Sequence, residues 1–125
     1  MVAQAAAIST QLQAIRTRFL TLLDDRLDML EYYRANVGRT DDDQAALIGI
    51  RDIAHKISGT AGTLGFAELG KEAANVENAI IGELTGPALV SASPALCNQI
   101  DDFLELAAQV AIALDGEQDE SAPTH

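Results

Sequence analysis

The sequence predicts an all-α fold: an antiparallel up-and-down four-helix bundle with a long N-terminal helix. Three observations predict it. Apolar residues recur at threes and fours along nearly the whole chain, no segment alternates as a strand does, and the composition is rich in Ala and Leu with only 4% aromatic residues and three prolines. Four amphipathic segments joined mostly by short connections bury their apolar stripes most simply against one common core.

The first helix is expected from Ile8 to Val37, with Ile8, Leu12, Ile15, Phe19, Leu22, Leu23, Leu27, Leu30, Tyr33 and Val37 as its apolar set. Gly38 stops it. The polar run Arg39 to Asp43 then supplies a loop whose aspartates suit the N-terminus of the next helix. That second helix is expected from Asp43 to Leu64, with Leu47, Ile50, Ala54, Ile57, Ala61 and Leu64 in one stripe and Gly65 as its C-terminal cap. A third helix, Phe66 to Glu83, offers Leu69, Ala73, Val76 and Ile80. Gly82 to Pro87 breaks the chain, and a short helical turn is expected at Pro87 to Val90. Ser93 followed by Pro94 has the form of an N-cap and first helical residue, opening a last helix with Leu96, Ile100, Phe103, Leu104, Ala107, Val110 and Leu114. Residues 1–114 are thus expected to form the bundle and 115–125, DGEQDESAPTH, a disordered acidic tail that holds His125.

Composition excludes several functions. A chain of 125 residues makes one domain, and a formal net charge of −11, from 8 basic and 19 acidic residues, disfavours nucleic acid and anionic lipid surfaces. No apolar run approaches the roughly 20 residues a bilayer span needs, and no secretory signal pattern opens the chain, so a cytoplasmic location is expected. The lone Cys97 makes no internal disulfide and sits where a small buried thiol is expected. With two histidines and one cysteine there is no metal-ligand cluster, and no nucleotide-binding loop follows a strand. A monomer is expected too, because Arg16, Arg18, Asp24, Asp25, Asp28 and Glu31 make the outer face of the first helix largely charged.

The chemistry narrows to His55. At about 100° per residue, it lies roughly 130° from the centre of its helix's apolar stripe and should face water. Arg51, Ser58, Gly59 and Gly62 share its face, so a second protein can approach the ring without meeting bulky side chains. Three glycines soon after a histidine each cost the helix about 1 kcal/mol relative to alanine. A helix end accounts for Gly65 but poorly for Gly59; close approach by a partner accounts for both Gly59 and Gly62.

The stretch HKISGTAGTLGFAELGKEAANVE resembles the signature of histidine phosphotransfer (HPt) domains, carriers in bacterial two-component phosphorelays. The positions that carry the resemblance are His55, Ile57, Gly59, Thr60, Ala61 and Gly65, then Val76 and Glu77. It implies that His55 is the phosphoacceptor, taking a phosphoryl group from a phospho-aspartate receiver, or from a sensor or hybrid histidine kinase, and passing it to a response-regulator receiver. An imidazole of ordinary pKa, about 6.5, is mostly neutral near pH 7 and has one nucleophilic nitrogen. The resemblance gives Glu77 the part of holding the proton on Nδ1, so that Nε2 is left to attack; an ordinary solvated glutamate is the alternative. It implies no cofactor on this chain, the Mg²⁺ belonging to the receiver, and a carrier rather than an enzyme. In one respect the chain departs from the family: Ser58 stands where most members carry a lysine. Arg51 or Lys56 is then the candidate for the missing positive charge, although Arg51 can equally pair with Asp43, Asp52 or Gln44. A dimeric histidine-kinase phosphoacceptor domain typically has a proline shortly after its histidine, where this chain has Gly59 and Thr60. A helical adaptor that binds receivers or kinases without being phosphorylated remains the other reading. Ile48, Leu64 and Phe66 are candidates for the edge of a docking face, the last two equally for the core.

Overall fold

The computed structural model describes residues 2–85 and 89–121, with side chains between residues 10 and 113. Helix α1 runs over Val2–Asn36, α2 over Gln44–Ala61, α3 over Ala67–Leu84 and α4 over Pro94–Ser121, and a 3₁₀ turn, Gly62–Leu64, extends α2. Among the described residues there is no strand. Each helix packs on its two neighbours in a ring, α1 on α2 and α4, α3 on α2 and α4, which is the four-helix bundle the periodicity predicts.

The core is apolar and closely filled. Phe19, Leu23 and Leu30 from α1, Leu47, Ile50 and Ile57 from α2, Leu69, Val76 and Ile80 from α3, and Leu96, Ile100 and Phe103 from α4 are its largest buried side chains. The inner stripes expected of α2, α3 and α4 are largely these residues. Helix α1 differs: Leu12, Ile15 and Leu22 are 53%, 47% and 40% exposed although they fit the same spacing. The physical reason is length and azimuth. At 1.5 Å per residue α1 is about 52 Å long against about 27 Å for α2, so its first half outruns its neighbour, and Leu22 lies about 100° round from the buried Leu23.

Local chemistry sets the ends. Gly38 and Gly65 adopt φ of 85° and 93°, a left-handed conformation that glycine takes without strain, and they stop α1 and the 3₁₀ turn. Gly82, expected to open the break, lies inside α3, which runs on to Leu84. The turn expected at Pro87 to Val90 falls largely outside the described residues. Ser93 caps α4 as expected, its Oγ accepting from Leu96 N at 3.1 Å. Helix α4 continues to Ser121, past Leu114 where the sequence placed the end of the bundle; residues 122–125 of the expected tail lie outside the description.

Asp43 does more than the capping role expected of it, and in another direction. It is 4% exposed; Oδ1 accepts from Gly38 N at 2.8 Å and Oδ2 from Ala92 N at 2.9 Å, which ties the α1–α2 loop to the segment entering α4. Asp42 accepts from Gln44 N at the α2 terminus and from Val90 N. Replacing Asp43 by Ala leaves two part-buried backbone donors without their acceptor, and Asp43→Ala is expected to lose roughly 1–3 kcal/mol of unfolding free energy, read by urea denaturation. In the last turn of α1, Arg34 forks onto Asp101 of α4 at 2.7 and 3.2 Å, a hydrogen bond that raises the guanidinium above its ordinary pKa.

Candidate functional site

Helices α2 and α3 form a tight hairpin that decides where His55 points and what meets it. Gly65 N–H closes the 3₁₀ turn on Gly62 O at 3.2 Å, Phe66 N–H donates to Ala61 O at 2.9 Å, and α3 begins at Ala67. The chain reverses within a few residues, so positions before and after the turn pair at nearly equal distances from it. Gly70 makes the approach close. A Cβ there would come within 3.3 Å of Gly62 N and 3.6 Å of Ser58 O, so the α3 backbone lies against α2 where a larger residue would push it off.

That hairpin brings Glu77 to His55. Their Nδ1 and Oε2 atoms are 2.8 Å apart, and the His55 side chain is 71% exposed while that of Glu77 is 20% exposed. A carboxylate only accepts, so Nδ1 carries the hydrogen, and in the neutral ring Nε2 keeps its lone pair. The ring is thus held from one edge by a mostly buried acid and open to solvent over most of its surface. Ile57, Ala54 and Ala61 of the same helix are fully buried and fix its rotation. His55 faces outward because of that stripe, as the 100° spacing requires.

The other residues singled out in the sequence fall into distinct places. Gly59 and Gly62 are exposed, and a Cβ added at either would meet nothing within 4 Å. Packing within this chain requires glycine at neither. Ser58 turns its hydroxyl back and donates to His55 O at 2.9 Å, so it is spent on the helix backbone. Arg51 pairs with Asp52, Nη2 to Oδ1 at 3.0 Å and Nε to the same oxygen at 3.2 Å, the surface pairing the sequence left open. Lys56 is exposed and lines a groove of about 490 Å³ between α1 and α2, together with Leu22, Met29 and Tyr33. Of the docking-edge candidates, Ile48 is half-buried, and Leu64 and Phe66 are half-buried against the core; Phe66 stacks on Phe19 with ring centroids 5.4 Å apart. Cys97 is half-buried rather than buried.

Two contributors to the site escaped the sequence reading. Gly70 was not singled out, though a glycine beside Leu69 inside an apolar stripe is a signal of close helix approach. Gly49 is the second: an added Cβ would fall 2.5 Å from the Tyr33 ring, so the ring rests on bare α2 backbone there and would have to move aside for a larger residue. Among the described residues no group of three or more His, Cys, Asp or Glu is placed to hold a metal ion, and no helix is long and apolar enough to cross a membrane.

No curated protein and no solved structure matches the chain. A protein-family model, that of the Hpt domain, matches residues 6–114. That stretch takes in α2 and α3 whole and most of α1 and α4, with the His55–Glu77 pair and the hairpin that joins them, and the chain belongs to the Hpt domain family.

Proposed function

We propose that this protein is a phosphoryl carrier in a two-component phosphorelay: His55 accepts a phosphoryl group from a phospho-aspartate receiver or a kinase and passes it to a response-regulator receiver. The observation that carries this reading is the His55–Glu77 pair, an exposed imidazole whose Nδ1 is held by a mostly buried carboxylate. In the transfer, the Nε2 lone pair forms the N–P bond while the acyl O–P bond of the aspartyl phosphate breaks and its electrons leave with the carboxylate. The Nδ1 proton stays in place. Positive charge that develops on the ring is met by Glu77, as the aspartate of a catalytic triad meets an imidazolium. The return step is the same reaction reversed onto a second receiver.

The surroundings support a partner-dependent carrier. A receiver brings its own aspartate and Mg²⁺, and this chain brings a nucleophile on a face kept bare by Gly59 and Gly62. Membership of the Hpt family carries the coarser statement, phosphotransfer within phosphorelays. The test is incubation with a panel of phosphorylated receivers, followed by chemical typing of any label. An acid-labile, base-stable label mapping to residue 55 supports the carrier; receivers that bind without labelling would point to the adaptor reading.

Ser58 offers a second measurement. Because its hydroxyl is engaged by His55 O, Ser58→Ala is expected to change the transfer rate by less than about threefold. Ser58→Lys sets a cation one turn from the ring on an exposed face, where a charge is worth up to about 1 kcal/mol, and is expected to lengthen the phosphohistidine lifetime by up to about fivefold. Decay of isolated phosphoprotein at fixed pH measures both.

A further inference from the structure

We infer that Arg26 is a specificity-determining residue of the transfer: its guanidinium, half-buried beside the α1–α2 groove and unpaired in the free chain, takes a carboxylate of the docked receiver. The inference rests on the carrier reading above. Its first support is the place of Arg26 on α1. It follows Leu23 by three residues and precedes Leu30 by four, and so stands in the helical stripe that buries them both. A charge at such a place is costly unless something meets it, and within the chain nothing does. Its Nη1 is buried without a hydrogen-bond acceptor, and among the described residues no carboxylate pairs with the guanidinium. Asp52 and Asp25 line the same groove, but Asp52 is taken by Arg51, and Asp25 lies about 100° round α1 from Arg26.

Distance from the reacting atom selects the occupant. The α2 wall of the groove, from Gly49 to Lys56, lies within about 9 Å of His55 along the helix axis. A specific protein contact covers about 800 Å² of each partner, a patch of about 16 Å radius. A receiver that brings its aspartyl phosphate to Nε2 near the middle of such a patch therefore covers this groove as well. Charge then sets what it must present. Arg26 and Lys56 are two unpaired cations against one unpaired acid, Asp25, which makes the groove locally positive on a chain whose formal net charge is −11. A guanidinium holds a carboxylate as a fork, and Leu22, Met29 and Ile53 give apolar walls to the hydrocarbon around it. Acidic side chains elsewhere on the receiver meet repulsion from this chain, so a carboxylate placed for Arg26 separates a fitting receiver from the rest.

Isothermal titration of the full chain with a panel of purified, unphosphorylated receivers tests this, alongside urea denaturation of the chain alone. Arg26→Met is expected to weaken the tightest-binding receiver by about 10- to 100-fold, to narrow the spread of affinities across the panel and to flatten their dependence on salt. The same variant should raise the urea midpoint of the free chain by about 0.5 M, because an apolar side chain replaces an unmet charge on the core stripe. Arg26→Lys keeps the charge without the fork and should bind with intermediate affinity. An arginine that served packing alone would give the reverse, a lower midpoint with binding unchanged. That result, or a Met variant that binds every receiver as the parent does, overturns the inference and leaves the carrier reading standing. A panel in which no receiver binds or transfers label overturns the carrier reading, and this inference with it.

Discussion

His55→Gln is expected to take up no label from any phosphorylated receiver that labels the unchanged protein, while its unfolding midpoint and its affinity for that receiver stay close to those of the parent. The loss should be complete because the amide nitrogen of glutamine has no lone pair available for attack on phosphorus, and among the described residues no second imidazole stands in the same setting. The fold should survive because the His55 side chain is 71% exposed and contributes nothing to the core. Surface substitutions of this kind usually change stability by less than about 0.5 kcal/mol. Gel autoradiography and isothermal titration with the same receiver separate the two quantities. Residual acid-labile label on the variant would move the phosphoacceptor away from residue 55.

Some features of this molecule are local enough to be read from sequence and others are not. The rotation of α2 is local: Ile50, Ala54, Ile57 and Ala61 define a stripe, every other residue of the helix has its angle fixed by it, and His55 therefore faces water. The end at Gly65 is local as well, because a left-handed cap demands glycine. Asp43 is different. Its local position suggests an N-cap, but its carboxylate is consumed by Gly38 and by Ala92, the latter 49 residues away, and no spacing rule announces that partner. Helix α1 shows a third case. Periodicity groups Leu22 with Leu23, yet Leu22 lies about 100° round from the core that buries Leu23, and the relative lengths of the packed helices leave Leu12 and Ile15 outside.

Glu77 stood between these cases. Helix angles alone put it on α3 without saying how far up the hairpin it lands opposite His55, because that depends on the turn and on how closely the helices approach. The resemblance to HPt domains named the residue, and the packing supplies the reason it reaches. With Gly70 lying against the α2 backbone at Ser58 and residue 62, the helices come close enough for a glutamate of ordinary length to meet the ring at 2.8 Å. Arg51 had no such support, and the pairing with Asp52 that its sequence neighbours allowed is the one observed.

Glu77→Ala is expected to slow phosphoryl uptake by His55 by about 10- to 100-fold, the value of a charge-assisted hydrogen bond of about 1.5–3 kcal/mol expressed in the transition state. Two effects are lost together. Without the carboxylate the Nδ1 proton is free to move to Nε2, which removes the nucleophilic lone pair in part of the population, and the positive charge developing on the attacking ring goes uncompensated. Glu77→Gln separates them. Its amide oxygen still accepts from Nδ1–H and keeps the tautomer, but it carries no charge, so its rate should fall between those of Ala and Glu. Single-turnover transfer from one purified phosphoreceiver at saturating concentration gives the ordering directly. The ring's proton-bearing nitrogen, read from ¹⁵N chemical shifts, should be Nδ1 in the parent and in the Gln variant and mixed in the Ala variant. Equal rates in all three would reduce the 2.8 Å contact to a surface hydrogen bond without a part in the transfer.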